Sequence, residues 1–271
     1  FTNRWLLIVN VKFLPEYCGI GVITIIVLTF SWYLIDRFSY SKELPFYSIT
    51  VDNDTTLTIG IIGDSWVAGD KLDSLLFNGL FEKGFENKII SSGHPGAKSK
   101  LIYQNLFEDK ENEHSSKSLI ENRPDYCIVI AGVNDAASQI GGHFYAYHMN
   151  LIIKTLLHYR IKPIIVTCPE FGIKETIDNM NVLSKYRNVI SAYFNNDGEI
   201  DNIKTYRKIL TAELDSENLK DSVILIDFDN VCHDYNKCSE LYANPSHLNK
   251  KGNEKLVQVI INELIKEITT R

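Results

Sequence analysis

The stretch Thr58-Ile-Gly-Ile-Ile62-Gly63-Asp64-Ser65-Trp66 predicts a short buried strand that runs directly into a turn. Its apolar, β-branched residues are typical of a strand in a parallel sheet. Gly63 permits a sharp bend, and Ser65 in that bend can project its hydroxyl into a crevice at the end of the strand. A Gly-Asp-Ser tripeptide alone is weak evidence of a site, because such sequences are common in turns and helix caps.

Strands and helices continue to alternate toward the carboxyl end of the chain. Apolar runs predict further strands at 88–91, 126–131, 163–168 and 223–227, and helical spacing predicts helices at 72–85, 143–159, 203–214 and 256–268. This alternation indicates an α/β fold with a mostly parallel sheet covered on both faces. The functional site is then expected at the carboxyl ends of the strands. No Gly-x-Gly-x-x-Gly follows the first strand, so a dinucleotide-binding fold has no support.

The overall composition is that of an ordinary globular protein. The chain has 271 residues, 45% apolar and 23% charged, with 28 Lys+Arg against 34 Asp+Glu and a net charge of -6. We expect no nucleic-acid partner, because such binding needs a basic face. Neither a metal nor another cofactor is expected, because no spacing of His, Cys, Asp or Glu is typical of a metal site.

The amino-terminal residues differ from the rest. No residue from Tyr17 to Ile35 carries a formal charge, and as a helix this run would span roughly 28 Å. Trp32 and Tyr33 stand near one end, as interfacial anchors do. We predict a membrane-anchoring segment at 1–37 with a transmembrane helix at about 17–35, a linker at 38–54 and an α/β domain at 55–271. A buried core helix or a cleaved signal peptide is the alternative, although no small-residue cleavage site follows the run.

Three further polar blocks come after later strands. They are Gly93-His-Pro-Gly96-Ala-Lys-Ser99, Gly132-Val-Asn134-Asp135 and Asn244-Pro-Ser-His247. Each block alone is compatible with a simple turn. Their fixed order at successive strand ends favours a common site, because the carboxyl ends of parallel strands meet at one edge of the sheet.

With these four blocks, the chain resembles the SGNH hydrolases, or Gly-Asp-Ser-type esterases, from about Thr58 to Ile268. The resemblance implies a three-layer, flavodoxin-like α/β/α sandwich and acyl-ester chemistry that uses no cofactor. Ser65 would be the nucleophile and His247 its general base. The backbone N–H groups of Ser65 and Gly96 and the side-chain amide of Asn134 would form the oxyanion hole.

The last block departs from the family pattern, because Asn244 stands where the family has an Asp. An Asn can accept the hydrogen bond from the histidine ring, but it brings no negative charge. Three interpretations remain open. The Ser–His pair suffices alone; another carboxylate, for example Asp234, lies near His247; or the domain has lost hydrolysis and binds its substrate.

Cys232 and Cys238 are six residues apart and would form a small-loop disulfide in an oxidising compartment, the alternative being two unrelated thiols. This region is similar to the SGNH domains at the carboxyl end of membrane acyltransferases that acetylate bacterial surface polysaccharides. That second resemblance implies an extracytoplasmic domain, periplasmic or at the cell surface, that passes an acetyl group to a sugar hydroxyl. It also implies a membrane acyltransferase domain or subunit as partner, and a sequence that starts at Phe1 inside a longer protein.

The sequence therefore predicts a membrane-tethered serine esterase or O-acetyltransferase acting on acyl esters of extracytoplasmic carbohydrate. Trp66, directly after Ser65, is a candidate sugar-stacking platform, although packing would also explain it. The alternative function is a catalytically weak domain that binds polysaccharide or a partner acyltransferase. A distance within about 3.5 Å between Ser65 Oγ and His247 Nε2 would favour the enzyme.

Overall fold

The computed structural model describes residues 14–49, 56–69 and 71–270. The chain divides into two compact units, with the boundary between Tyr40 and Ser41. The first unit contributes helix α1 (Leu14–Phe38), and the second contains the α/β domain.

Helix α1 covers the stretch that was predicted to cross a membrane. Among the residues that the structure describes, no helix is both long and apolar enough to do so. The prediction of a transmembrane helix at 17–35 is therefore not confirmed.

The α/β domain is built on a parallel sheet with the strand order β2-β1-β3-β4-β5 in its described part. A small antiparallel hairpin, β6–β7, stands apart from it. The strands are β1 (Leu57–Gly63), β2 (Asn87–Gly93), β3 (Tyr126–Ile130), β4 (Lys162–Val166), β5 (Ile224–Ile226), β6 (Tyr242–Asn244) and β7 (His247–Leu248). Gly63 is in register with both Gly93 and Ile130, so β1, β2 and β3 end level with one another. The blocks that follow these three strands consequently meet at one edge.

Helices cover both faces of the sheet, which confirms the predicted α/β class. In chain order they are α2 (Ser65–Gly69), α3 (Leu72–Glu82), α4 (Ser99–Asn105), α5 (Lys117–Glu121), α6 (Val133–Ala137), α7 (Gly142–His158), α8 (Ile173–Asp178), α9 (Val182–Asn195), α10 (Ile203–Ser216) and α11 (Lys250–Thr270). Helices α3 and α11 pack together, and α7 packs against α4 and α10. Strands β1, β3 and β4 are continuous apolar runs because helices bury them from both sides, whereas the edge strand β2 is more polar and more exposed.

The predicted strands and long helices are all present, with ends shifted by up to six residues at α11. Five short helices and one long helix were not predicted from the sequence, namely α2, α4, α5, α6, α8 and α9. Both α2 and α6 begin inside the glycine-containing blocks and have only five residues, which is too short to show the apolar period of a helix.

Residues 41–49 do not behave as the linker that was predicted for 38–54. The N–H of Ser41 donates to His148 Nε2 at 3.1 Å, and that of Leu44 donates to the Tyr103 hydroxyl at 2.7 Å. The N–H of Tyr47 is 2.9 Å from the Tyr159 hydroxyl. This segment therefore belongs to the α/β domain, because buried side chains satisfy its backbone donors. The remainder of the predicted linker, 50–54, lies outside the described residues.

The bond between Ser41 and His148 makes stability pH-dependent. His148 is buried, donates from Nδ1 to Phe144 O and accepts at Nε2, so only the neutral ring fits. Burial lowers the pKa of His148 to about 4. Because the folded pKa lies below the unfolded value, this stabilisation is complete above about pH 6.5 and is lost as the pH falls toward 4. We expect a loss of about 3 kcal/mol over that interval.

The measurement is chemical denaturation at several pH values for the wild type and His148→Gln. The amide oxygen of Gln can accept from Ser41 without titrating. The variant should therefore lose less stability than the wild type between pH 6.5 and 4. Identical pH profiles would contradict the role assigned to His148.

Candidate active site

Ser65 lies where β1 turns into helix α2. It is the first residue of that helix, so its backbone N–H belongs to the group that has no partner within the helix. Helix α2 packs directly over the end of β2: a Cβ at Gly93 would lie 2.3 Å from Ala68 N. Gly93 is therefore required for the strand end and the turn with Ser65 to approach each other.

The hydroxyl of Ser65 contacts His247 across 182 residues of sequence. Ser65 Oγ lies 2.9 Å from His247 Nε2, and His247 Nδ1 lies 3.1 Å from Asn244 Oδ1. Since an amide oxygen only accepts, Nδ1 carries the ring proton and Nε2 is free to accept from Ser65. The β6–β7 hairpin holds this pair, and Ser246 N–H donates to the same Asn244 oxygen at 3.0 Å.

Asp234 does not supply the missing carboxylate. Its Oδ1 accepts from Asn236 N–H at 3.1 Å, and its Oδ2 lies 3.5 Å from Lys237 Nζ. Among the described residues, the hydrogen-bond partner of His247 Nδ1 is Asn244. The interpretation in which Asp234 assists His247 is therefore wrong, because local capping of its own loop holds that carboxylate.

Gly96 lies in an open turn after β2. Its φ of +77° is in the left-handed region, and a Cβ placed on it would meet nothing within 4 Å. A hydrogen bond of 3.0 Å from Ala97 N–H to His94 O closes this turn. The N–H of Gly96 has no acceptor in the described part of the chain, so it is available as an oxyanion donor.

Asn134 is held differently from the prediction. Its Nδ2 donates to Asp64 Oδ2 at 3.1 Å and to Ala97 O at 3.0 Å. These two bonds engage both amide hydrogens. The structure thus brings Asn134 to the blocks that contain Ser65 and Gly96, but its amide can serve an oxyanion only by sharing or releasing one of these bonds.

Two buried carboxylates lie beneath the blocks. Burial raises the pKa of Asp64 to about 7, with the charge of Asp135 adding to the rise and the Trp66 N–H opposing it. Asp135 accepts hydrogen bonds from both the N–H and the hydroxyl of Ser99, and burial raises its pKa as well. Asp135 thereby ties the Gly96 block to the Asn134 block. The sequence places Asp135 in the third polar block, but no local pattern indicates that Ser99 is its hydrogen-bond partner.

Trp66 is not a sugar-stacking platform. Its side chain is 0% exposed, and its ring packs edge-on against Phe228 at 5.7 Å between centroids. The indole Nε1–H donates to Ser246 O at 2.8 Å. Trp66 therefore anchors the loop that carries His247, and a buried ring presents no face to a sugar.

The His247 loop is also fastened to the loop that follows β4. Gly172 N–H donates to Pro245 O at 2.7 Å, and the Tyr242 hydroxyl donates to Glu170 O at 2.6 Å. Buried Arg207 stabilises this second loop. It donates from Nε to Cys168 O at 2.7 Å, lies 3.2 Å from Glu170 Oε2 and pairs with Asp229. Arg207 was not predicted as a functional residue, because no local sequence pattern distinguishes it from the other residues of α10.

Cys232 and Cys238 form a disulfide, with Cα atoms 6.1 Å apart. The pair closes the loop between β5 and β6, which leads to the His247 hairpin. Within the described residues, no group of three or more His, Cys, Asp or Glu is arranged to hold a metal ion.

The fold of this chain is similar to the folds of several solved lipases and esterases. A lipase/acylhydrolase from Enterococcus faecalis has 20% identity and a TM-score of 0.53, with 76% of this chain and 94% of that chain covered. An acetyl xylan esterase has 20% identity, a TM-score of 0.54, and coverage of 76% and 98%. The psychrotrophic esterase EstA from Pseudoalteromonas sp. has 16% identity, a TM-score of 0.55, and coverage of 79% and 99%.

Comparison of the sequence with protein-family models and with curated proteins gives no match. The strand order, the four polar blocks and the architecture shared with these structures are the features that define the fold. Together they show that this chain has the fold of the SGNH (GDSL) hydrolases.

Proposed function

We propose that this protein is a serine esterase or O-acyltransferase that acts on acyl esters through an acyl-enzyme at Ser65. The 2.9 Å contact between Ser65 Oγ and His247 Nε2 at the end of β1 carries the proposal. A nucleophile in hydrogen-bond reach of a base, itself oriented by a third group, is the arrangement that covalent acyl transfer needs. Esterases with the same fold support it.

The chemistry follows from the positions of these groups. The Ser65 hydroxyl transfers its proton to His247 Nε2 while Oγ attacks the ester carbonyl. The N–H groups of Ser65 and Gly96 stabilise the negative oxygen of the tetrahedral intermediate, a contribution of about 3–4 kcal/mol for each donor. Protonated His247 then returns the proton to the leaving alcohol. Water or a sugar hydroxyl completes the reaction by attacking the acyl-enzyme.

We further propose an acetylated carbohydrate as substrate and an extracytoplasmic location. One protein with this fold is an acetyl xylan esterase, which supports an acetyl ester of a polysaccharide. The disulfide between Cys232 and Cys238 supports an oxidising compartment, the periplasm or the cell surface. Transfer of acetyl to a sugar, alone or with a membrane acyltransferase, uses the same acyl-enzyme and differs only in the acceptor.

The test is to incubate the protein with p-nitrophenyl acetate, quench rapidly and search the Ser65 peptide for an acetyl group by mass spectrometry. Addition of an unacetylated oligosaccharide then separates the two activities: acetate is the product of hydrolysis, and acetyl-sugar is the product of transfer. Absence of acetyl on Ser65, with release of p-nitrophenol at the uncatalysed rate, would favour the alternative function. That alternative is a domain that binds polysaccharide or a partner acyltransferase.

The neutral Asn244 has a measurable consequence. Its oxygen keeps the His247 ring in the correct tautomer but cannot stabilise the imidazolium with a charge. A hydrogen bond to a charged group is worth roughly 1–2 kcal/mol more than a neutral one. We therefore expect Asn244→Asp to raise kcat for p-nitrophenyl acetate about tenfold.

The companion variant is Asn244→Ala, which should lower kcat because the ring loses its acceptor. A variant Asn244→Asp that folds as the wild type and turns over no faster would mean that His247 needs no charge at Nδ1.

A further inference from the structure

Helix α9 turns its large apolar side chains away from the domain. The exposed set is 48–81% accessible: Val182, Leu183, Tyr186, Val189, Ile190, Tyr193 and Phe194. The residues that α9 buries are polar or small, namely Asn188, Ser191 and Ala192. A surface helix normally buries its apolar stripe and exposes its polar one. We call the exposed set the α9 ridge.

Specific hydrogen bonds fix this inverted orientation. Asn188 Nδ2 donates to Ala137 O at 2.9 Å, and Asn195 Nδ2 donates to Gln139 O at 3.0 Å. At the start of the helix, Asn181 Oδ1 accepts from Ser184 N–H at 2.9 Å. The buried Asn188 amide and the exposed Asn195 amide would both lose their partners if the helix rotated to hide its ridge, and the cost is larger for the buried Asn188. The ridge therefore faces outward in the folded domain.

The size of the ridge argues against a stable pair of protein chains. A 14-residue helix is about 21 Å long. Stable protein interfaces use about 20–30 residues from each partner, whereas the ridge has seven. An apolar patch of this kind nevertheless marks an interaction site. We propose that α9 inserts its ridge into the interfacial layer of a lipid bilayer.

The composition of the ridge fits a lipid interface. Tyr186 and Tyr193 are amphipathic rings of the kind found at the boundary between lipid and water, and Leu183, Ile190 and Phe194 provide the apolar surface. From 178 to 201 the chain has two basic and four acidic residues. Apolar burial, rather than attraction to anionic lipid, must therefore drive the binding.

One other feature agrees with a lipid surface. Helix α1 also exposes large apolar side chains, among them Trp32 at 76% and Ile35 at 66%. The inner face of α9 is bonded to Ala137, the last residue of the short helix that carries Asn134. Docking of α9 on a membrane would therefore place the lipid surface on the far side of α9 from that helix.

A local fluorescent probe on the full-length chain tests the proposal. The environment-sensitive dye NBD is attached at Ile190→Cys in a Cys18→Ser background, where the other free thiols, Cys127 and Cys168, are buried. The matched control carries the dye at Phe81→Cys on α3, where the native side chain is 66% exposed. Both are titrated with phosphatidylcholine vesicles, with and without a lipid-borne quencher.

We expect NBD at position 190 to shift to shorter wavelength and to be quenched from the bilayer, while NBD at position 81 does neither. Leu183→Glu should lower the vesicle affinity about tenfold or more, and Phe81→Glu should leave it unchanged. Thermal unfolding shows that each variant is folded. Because no readout is enzymatic, the outcome is independent of the proposed esterase activity.

Three results would overturn the proposal. One titration series with the probe at position 190 distinguishes them: no response to vesicles, a response that follows protein concentration without vesicles, or a response confined to anionic vesicles and abolished by salt. The first points to a protein partner, the second to a second copy of this chain and the third to electrostatic adsorption.

Discussion

Ser65→Ala is expected to lower kcat/KM for p-nitrophenyl acetate by about 10³-fold or more. The variant keeps His247 and the N–H donors but has no atom to form the acyl-enzyme. Loss of the nucleophile in serine hydrolases has effects of this order or larger. The same variant should fail to react with a fluorophosphonate, which labels an activated serine in the wild type.

Ser74→Ala is the matched control, because Ser74 is an exposed serine whose hydroxyl contacts Asp73. It should keep the full rate. If Ser65→Ala and the wild type hydrolyse the ester at equal rates, the acyl-enzyme at Ser65 is excluded and the binding function is favoured.

Arg207→Met is expected to lower the free energy of unfolding by about 3–5 kcal/mol, which corresponds to roughly 10 °C in Tm. Its side chain and that of Glu170 are each 9% exposed, so the variant leaves a carboxylate buried without its cation. Burial already raises the pKa of Glu170 to about 6 although Arg207 opposes the rise. Glu170 should therefore take up a proton in the variant, and the destabilisation should be smaller at pH 5 than at pH 8.

Differential scanning calorimetry at both pH values measures this effect. Lys154→Met is the control, since Lys154 and Glu217 form an exposed ion pair at 3.0 Å that contributes under about 1 kcal/mol. Arg207 also supports the loop that bonds to Pro245, so esterase activity should fall in parallel. A loss as small as that of Lys154→Met would show that the buried cluster contributes little.

The order of the elements could be predicted because each depends on local pattern. Strands β1, β3 and β4 are unbroken apolar runs, and helical spacing of apolar residues marks α3, α7, α10 and α11. Helix α9 has the same spacing but was not predicted, and only the structure shows that its apolar side faces outward. Periodicity gives the width of an apolar stripe and says nothing about which side faces the core.

The order of the blocks was sufficient to place Ser65, Gly96 and Asn134 at one edge of the sheet, because parallel strands bring their carboxyl ends together. His247 reaches Ser65 from the separate β6–β7 hairpin, and that contact is seen only in the structure. Sequence alone could not show which of the candidate side chains are already engaged in other hydrogen bonds. Only the structure shows that Asp234 is bonded within its own loop, that Trp66 is bonded to Ser246 and that the Asn134 amide is already bonded to Asp64. The last two contacts join residues that are far apart in the sequence.

The sequence by itself determined the α/β class, the strand order along the chain and the candidate nucleophile and base. The class and the order of the strands depend on short-range hydrophobic period, whereas the nucleophile and the base were identified through the resemblance of the four polar blocks to the SGNH hydrolases. Only the tertiary structure decided that Ser65 and His247 are 2.9 Å apart, that Asn244 occupies the third position and that Arg207 supports the neighbouring loop. Those contacts join residues up to 182 positions apart, and packing of the whole domain sets them.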